Sequence, residues 1–88
     1  MTRRQQFAEL IPQLVSADPI SIADLYLAVE QARPDLVDDE IEPDTGAVRW
    51  KHEFRWELET LVVNGRVSRR KDLGRGIYST SLDVAGAQ

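Results

Sequence analysis

Ala47-Val48-Arg49-Trp50-Lys51-His52-Glu53-Phe54-Arg55-Trp56-Glu57-Leu58-Glu59-Thr60-Leu61 leads through Asn64-Gly65 into Arg66-Val67-Ser68-Arg69-Arg70-Lys71, and this stretch decides the fold. Stepped at about 100° per residue, its first part sorts into faces. Ala47, Phe54, Leu58, Leu61 and Val62 gather on one apolar side, which reads as core. Arg49, His52 and Trp56 gather on the opposite side and present two donors and an indole to the outside. Trp50 falls on a flank and is expected to be half-buried. Lys51 and Arg55 sit on a margin where long stems can lie along the protein and reach outward. The spacing predicts a helix from about Gly46 to Val63, N-capped by Asp44 or Thr45. Gly65 stops it by taking the left-handed cap conformation.

Beyond Gly65 the chain alternates as strands do. Arg66–Arg70 and Gly76–Thr80 are predicted strands, and Asp72-Leu73-Gly74-Arg75 turns between them. Upstream, Phe7, Leu10, Ile11, Leu14 and Val15 recur at the spacing of one helical stripe. Pro12 interrupts that stripe, so the helix must kink there or have its regular part begin nearby. Ala17-Asp18-Pro19 ends it. Ile20-Ser21-Ile22 is a short strand or extended stretch, and Ser21 with Asp24 resembles a capping box. Leu25, Tyr26, Ala28, Val29 and Ala32 make a second helix, closed by Arg33-Pro34. Residues 35–44 form an acidic connection that Leu36, Val37 and Ile41 pin to the core. The predicted class is therefore mainly α with a small β-hairpin: a winged helix-turn-helix of three helices plus a wing. It occupies residues 1–82, with a flexible tail at 83–88.

The 88 residues suffice for one modest core, and an apolar fraction of 42% favours folding over disorder. The absence of cysteine and the single histidine, His52, exclude disulfide staples and Cys/His zinc sites. No apolar run has the length of a signal peptide or a membrane span. A cytoplasmic domain, prokaryotic or viral, is expected. The net charge of −4 conceals an asymmetry. Residues 1–44 carry three basic against ten acidic residues, a balance of −7, and residues 45–88 carry eight against five, a balance of +3. Phosphate binding requires a basic face, not a basic protein. The acidic half should keep non-specific affinity low.

Two features carry candidate chemistry, and each has a plainer reading beside it. Trp56, on the outward helix face, either packs against a neighbouring segment or meets a base edge or methyl group in a major groove. The hairpin holds Arg66, Arg69, Arg70, Lys71 and Arg75 against one acid, Asp72. Those charges either guard a strand edge against aggregation or clamp a phosphate backbone. Alternation puts Arg69 and Lys71 on one face and Arg70 on the other. Their order, a helix bearing Arg, Lys and His followed by a basic hairpin, favours DNA. The expected groove contacts are Arg49, His52, Arg55 and Trp56, with Trp50 as an alternative to Trp56 at a base and Lys51 also among the DNA-binding residues. The expected phosphate contacts are Arg69, Arg70, Lys71 and Arg75.

Catalysis finds no support in the residues. Asp38-Asp39-Glu40-Ile41-Glu42-Pro43-Asp44 lacks the glycine and spacing of an EF-hand loop, and it precedes a helix start, where negative charge is favourable anyway. No acidic–x–Lys element comes after Pro43-Asp44 as a nuclease motif would require. His52 has no evident nucleophile partner. Neither an enzyme, a metal nor a cofactor is expected.

Phe7…Leu10-Ile11-Pro12-Gln13-Leu14 resembles the opening of the N-terminal winged-helix domain of Mrr-type, modification-dependent restriction endonucleases. Arg55-Trp56…Leu61…Gly65-Arg66-Val67 and Gly74-Arg75-Gly76-Ile77-Tyr78 are similar to that family's helix end and wing strand. The resemblance spans about 7–80 and carries over Trp56, Leu61, Gly65 and Gly76 to Tyr78. It departs at the acidic loop 38–44 and at Glu57, where a small residue is typical. The resemblance implies the DNA-reading module of a restriction system. Its target would be double-stranded DNA with a methylated base, N6-methyladenine before 5-methylcytosine, and its partner a nuclease domain in cis or in trans. Two other readings stay open: a dimeric transcription regulator on an unmodified operator, and a winged helix that binds only protein.

Overall fold

A computed structural model of the chain describes residues 1–80. The proposed boundary at 82 and the tail 83–88 lie outside the described residues. Three α-helices and a small antiparallel sheet make up the fold: Arg3–Leu14 (α1), Ile20–Ser21 (β1), Ile22–Ala32 (α2), Arg49–Val63 (α3), Val67–Arg69 (β2) and Ile77–Thr80 (β3). A 3₁₀ turn at Pro34–Leu36 follows α2.

α1 starts earlier than its apolar stripe suggests, because Thr2 and Gln5 form a reciprocal capping box. The Gln5 N–H donates to Thr2 Oγ1 at 3.2 Å, and the Thr2 N–H donates to Gln5 Oε1 at 2.8 Å. Pro12 lies in the last turn of α1, exposed, and the helix continues past it to Leu14. The missing N–H of Pro12 removes the helical donor to one carbonyl, that of Ala8. Of the expected capping box at α2, the Ser21 half is present: its hydroxyl accepts the Asp24 N–H at 3.1 Å.

α3 ends at a Schellman turn. The Gly65 N–H donates to the Val62 carbonyl and the Arg66 N–H to the Leu61 carbonyl, with Gly65 at φ +79°. Its start differs from the prediction. Thr45 and Gly46 belong to a turn closed by the bridge between Ile41 and Val48. Gly46 has φ +72°, which no right-handed helix accommodates, and the Thr45 hydroxyl accepts the Ala47 N–H inside that turn. The helix therefore begins at Arg49, with Val48 in the cap position and no side-chain cap. The carbonyl of Glu40 takes the Arg49 N–H at 2.9 Å in its place. Ala47, expected on the helical core face, lies outside the helix.

The sheet order is β1-β3-β2. β2 and β3 pair as Val67↔Thr80, Ser68↔Ser79 and Arg69↔Tyr78, and β1 joins the far edge of β3 through Ile20↔Tyr78 and Ser21↔Ile77. A single core unites these elements. Phe7, Ile11, Leu25, Val29, Trp50, Phe54 and Leu58 are essentially sealed from solvent. Tyr26 meets Trp50 and Phe54 edge-on, with ring centroids 5.4 and 5.7 Å apart, and Phe7 meets Phe54 in the same way at 5.5 Å. Burial pushes the Tyr26 phenol up from its ordinary pKa. Among the described residues, no helix is long and apolar enough to cross a membrane.

Candidate functional site

α3 presents its outward face between two very different neighbours. On one side is the acidic connection 37–48; on the other is the β2–β3 hairpin. The hairpin side forms a groove of about 710 Å³ in which Arg55 and Glu59 of α3 face Arg69, Lys71 and Arg75. Arg69 is tied to Glu59. Arg55, Lys71 and Arg75 have no ion-pair partner among the described residues. Three uncompensated cations thus converge on one concave surface, where charge in a low-dielectric cleft is felt most strongly.

Arg70 does not join them. The strand alternation turns it to the other face, where its guanidinium donates to Asp72 at 2.9 and 3.1 Å and to the Ser79 hydroxyl at 3.4 Å. That pairing holds the Asp72 carboxyl below its ordinary pKa.

Next to the groove, and sharing Arg55 and Glu59 with it, is a shallow and largely apolar depression of about 400 Å³. Trp56, Thr60 and Val63 form its floor, with His52 at one end. Trp56 is 55% exposed and Val63 83%. Arg4 of α1 reaches over the indole at 5.1 Å from the ring centroid while its guanidinium donates to Glu57 at 2.8 Å. The depression on the Arg4 side of Trp56 is a separate one, so the indole borders open space on its Val63 side too.

Trp50 corrects the sequence reading. It is 1% exposed, enclosed by Tyr26 from α2 and Phe7 from α1, and cannot touch a groove. Lys51 lies along the protein as its margin position suggests, with its ammonium 5.0 Å from the Tyr26 centroid and 5.8 Å from that of Trp50. Arg49 and His52 do reach the outer surface, but acids of the preceding connection meet them there. Arg49 pairs with Glu40 at 2.9 Å, and His52 Nδ1 donates to Glu42 at 2.8 Å. The imidazole contact keeps the Glu42 carboxyl below its ordinary pKa. Arg3 extends the same network by bridging Glu53 and Asp38, which raises the Arg3 pKa and lowers that of Asp38.

Of the ten sequence-predicted residues, the structure brings Arg55, Arg69, Lys71 and Arg75 into one groove and places Trp56 beside it. It withdraws Trp50 and Arg70, lays Lys51 against Tyr26 and Trp50, and pairs Arg49 and His52 with acids, His52 also lining the depression. Thr60, Val63, Glu59 and Arg4 are additions. Thr60 and Val63 continue the helical spacing of His52 and Trp56, so that signal was present in the sequence. Arg4 comes from another helix and carried none.

No protein-family model, curated protein or solved structure matches this chain. The site therefore rests on its own geometry. Among the described residues, no cluster of His, Asp or Glu is arranged to hold a metal ion.

Proposed function

We propose that the domain binds double-stranded DNA as a winged-helix module. In this reading α3 enters the major groove, and the β2–β3 hairpin is the wing that grips the backbone. The observation that carries the reading is the groove between α3 and the hairpin, where Arg55, Lys71 and Arg75 stand unpaired, among the described residues, beside the Arg69–Glu59 pair. A phosphate strand supplies the negative charge that such a surface lacks. The element order helix–strand–helix–helix–strand–strand and the single sheet support the fold assignment.

The finer form of the proposal is that the module reads a methylated base, N6-methyladenine first, for a restriction nuclease. Its support is the resemblance to Mrr-type reader domains and the exposed indole of Trp56 next to an apolar surface. With Trp50 buried, Trp56 alone carries the methyl contact. Fluorescence anisotropy tests both levels with matched duplexes, unmodified or bearing N6-methyladenine or 5-methylcytosine, over a salt series. Salt-sensitive binding that Lys71→Gln with Arg75→Gln abolishes supports the DNA reading. Preference for a methylated duplex that Trp56→Ala removes supports the finer one. Absence of binding at low salt would leave a protein-binding domain.

A further inference from the structure

The cationic groove and the apolar depression are not separate features: they share Arg55 and Glu59 and together make one continuous surface along α3. Phosphate needs account for the groove. They do not account for an indole left 55% exposed beside Val63, with an arginine covering one side and a depression of about 400 Å³ opening on another. A paired base shows a protein only its edge, whereas a flat, apolar floor is complementary to a base's face.

The rim of the depression carries what the freed edge of such a base would require. Arg55 is a donor without an ion-pair partner among the described residues, and Glu59, which holds Arg69 through Oε1, offers its other oxygen as an acceptor. The Thr60 hydroxyl donates its proton to the Trp56 carbonyl at 3.1 Å and so faces a ligand as an acceptor. The neighbouring cations define the occupant further. An apolar protein segment would leave Arg55, Lys71 and Arg75 uncompensated, but a base brings its own phosphates to them.

Resting on the nucleic-acid reading above, we propose that the Trp56–Val63 depression is a subsite for an unpaired nucleobase stacked on Trp56, while the adjoining phosphates of its strand lie in the groove with Arg55, Lys71 and Arg75. The preferred ligand is then DNA with a base outside the stack, at a bulge, a mismatch or a flipped position, and not a fully paired duplex.

The test compares a paired duplex with the same duplex carrying one unpaired adenine, followed by anisotropy and by tryptophan fluorescence. Trp50 is sealed in the core, so quenching on binding reports Trp56. The expected result is roughly ten-fold tighter binding of the bulged duplex, the size of effect that one base–aromatic stack produces, together with quenching. Trp56→Ala should bring the ratio of the two affinities close to one, and Trp56→Phe, which keeps a ring, should restore most of the preference. Equal affinity for both duplexes, or a preference that survives Trp56→Ala, overturns the subsite and leaves the DNA reading standing. Binding of neither duplex overturns both.

Discussion

The two tryptophans of α3, six residues apart in one helix, carry opposite kinds of information. Trp50 is enclosed by Phe7 and Tyr26, and truncating it would open a large cavity in a small core. Trp50→Ala should cost about 3–5 kcal/mol, which in a domain this size removes much of the total stability. Trp56→Ala gives up a partly exposed cation–π contact with Arg4 and a ring contact with His52, and should cost about 1 kcal/mol. Urea denaturation monitored by circular dichroism checks both values. If the two costs were equal, the assignment of one ring to the core and the other to a surface site would fail. The helical period alone placed Trp56 outward correctly. It left Trp50 on a flank, because the residues that bury it arrive from α1 and α2, and a single helix's pattern contains no record of them. The glycines separate in a similar way. Gly65 and Gly76 both have positive φ, but only Gly76 is crowded: a Cβ there would lie 3.2 Å from Ile22 Cγ2. Gly65→Ala should cost about 1–2 kcal/mol from backbone strain alone, and Gly76→Ala distinctly more. The same denaturation curves rank them.

Local signals set the element ends wherever the partner is close in sequence. Asn64-Gly65 ends α3 within its own last turn, and the alternation over 66–80 fixes the hairpin to within a residue at either end. The start of α3 escaped because Thr45 and Gly46, each a respectable cap residue, are claimed by the turn that Ile41 and Val48 close. The acidic run likewise looked like a helix-start charge, and it proves to be a set of partners: Asp38 for Arg3, Glu40 for Arg49 and Glu42 for His52. These contacts dictate a pH dependence. Asp38 and Glu42 have lowered pKa values in the folded chain, the first through Arg3 and the second through His52. Unfolded carboxyls titrate near pH 4, so the folded state binds fewer protons there than the unfolded one. The contribution is fully present above that pH and is lost as pH falls through the lowered values. Amide hydrogen exchange across residues 40–49 should accelerate, once corrected for intrinsic rates, as pH drops below about 4. Asp38→Asn with Glu42→Gln should flatten that response; an unchanged profile in this variant would show that the network does not hold the connection in place.

Across the whole molecule, charge is polarised along α3, with acids around its first turn and free cations, among the described residues, where it faces the hairpin. The polarity would let a chain of net charge −4 bind phosphate in the way proposed above. It also sets the salt dependence of binding, since each phosphate neutralised releases counterions and lowers the slope of log K against log salt by about 0.9. If Arg55, Lys71 and Arg75 alone make the contacts while the paired arginines keep their carboxylates, the slope should be about −3. A slope twice as steep would mean that the ion pairs open on binding and that the groove alone is not the site. Glu40→Gln with Glu42→Gln distinguishes these cases. It frees Arg49 and removes two carboxylates that would repel phosphate at the first turn of α3. Exposed pairs of this kind contribute little to stability, so the folded chain should tolerate the change. Duplex affinity at low salt should rise several-fold, and the slope should steepen by about one for each cation released. A variant that bound no better, with the slope unchanged, would place the DNA away from the first turn of α3 altogether, on the hairpin side of the helix alone.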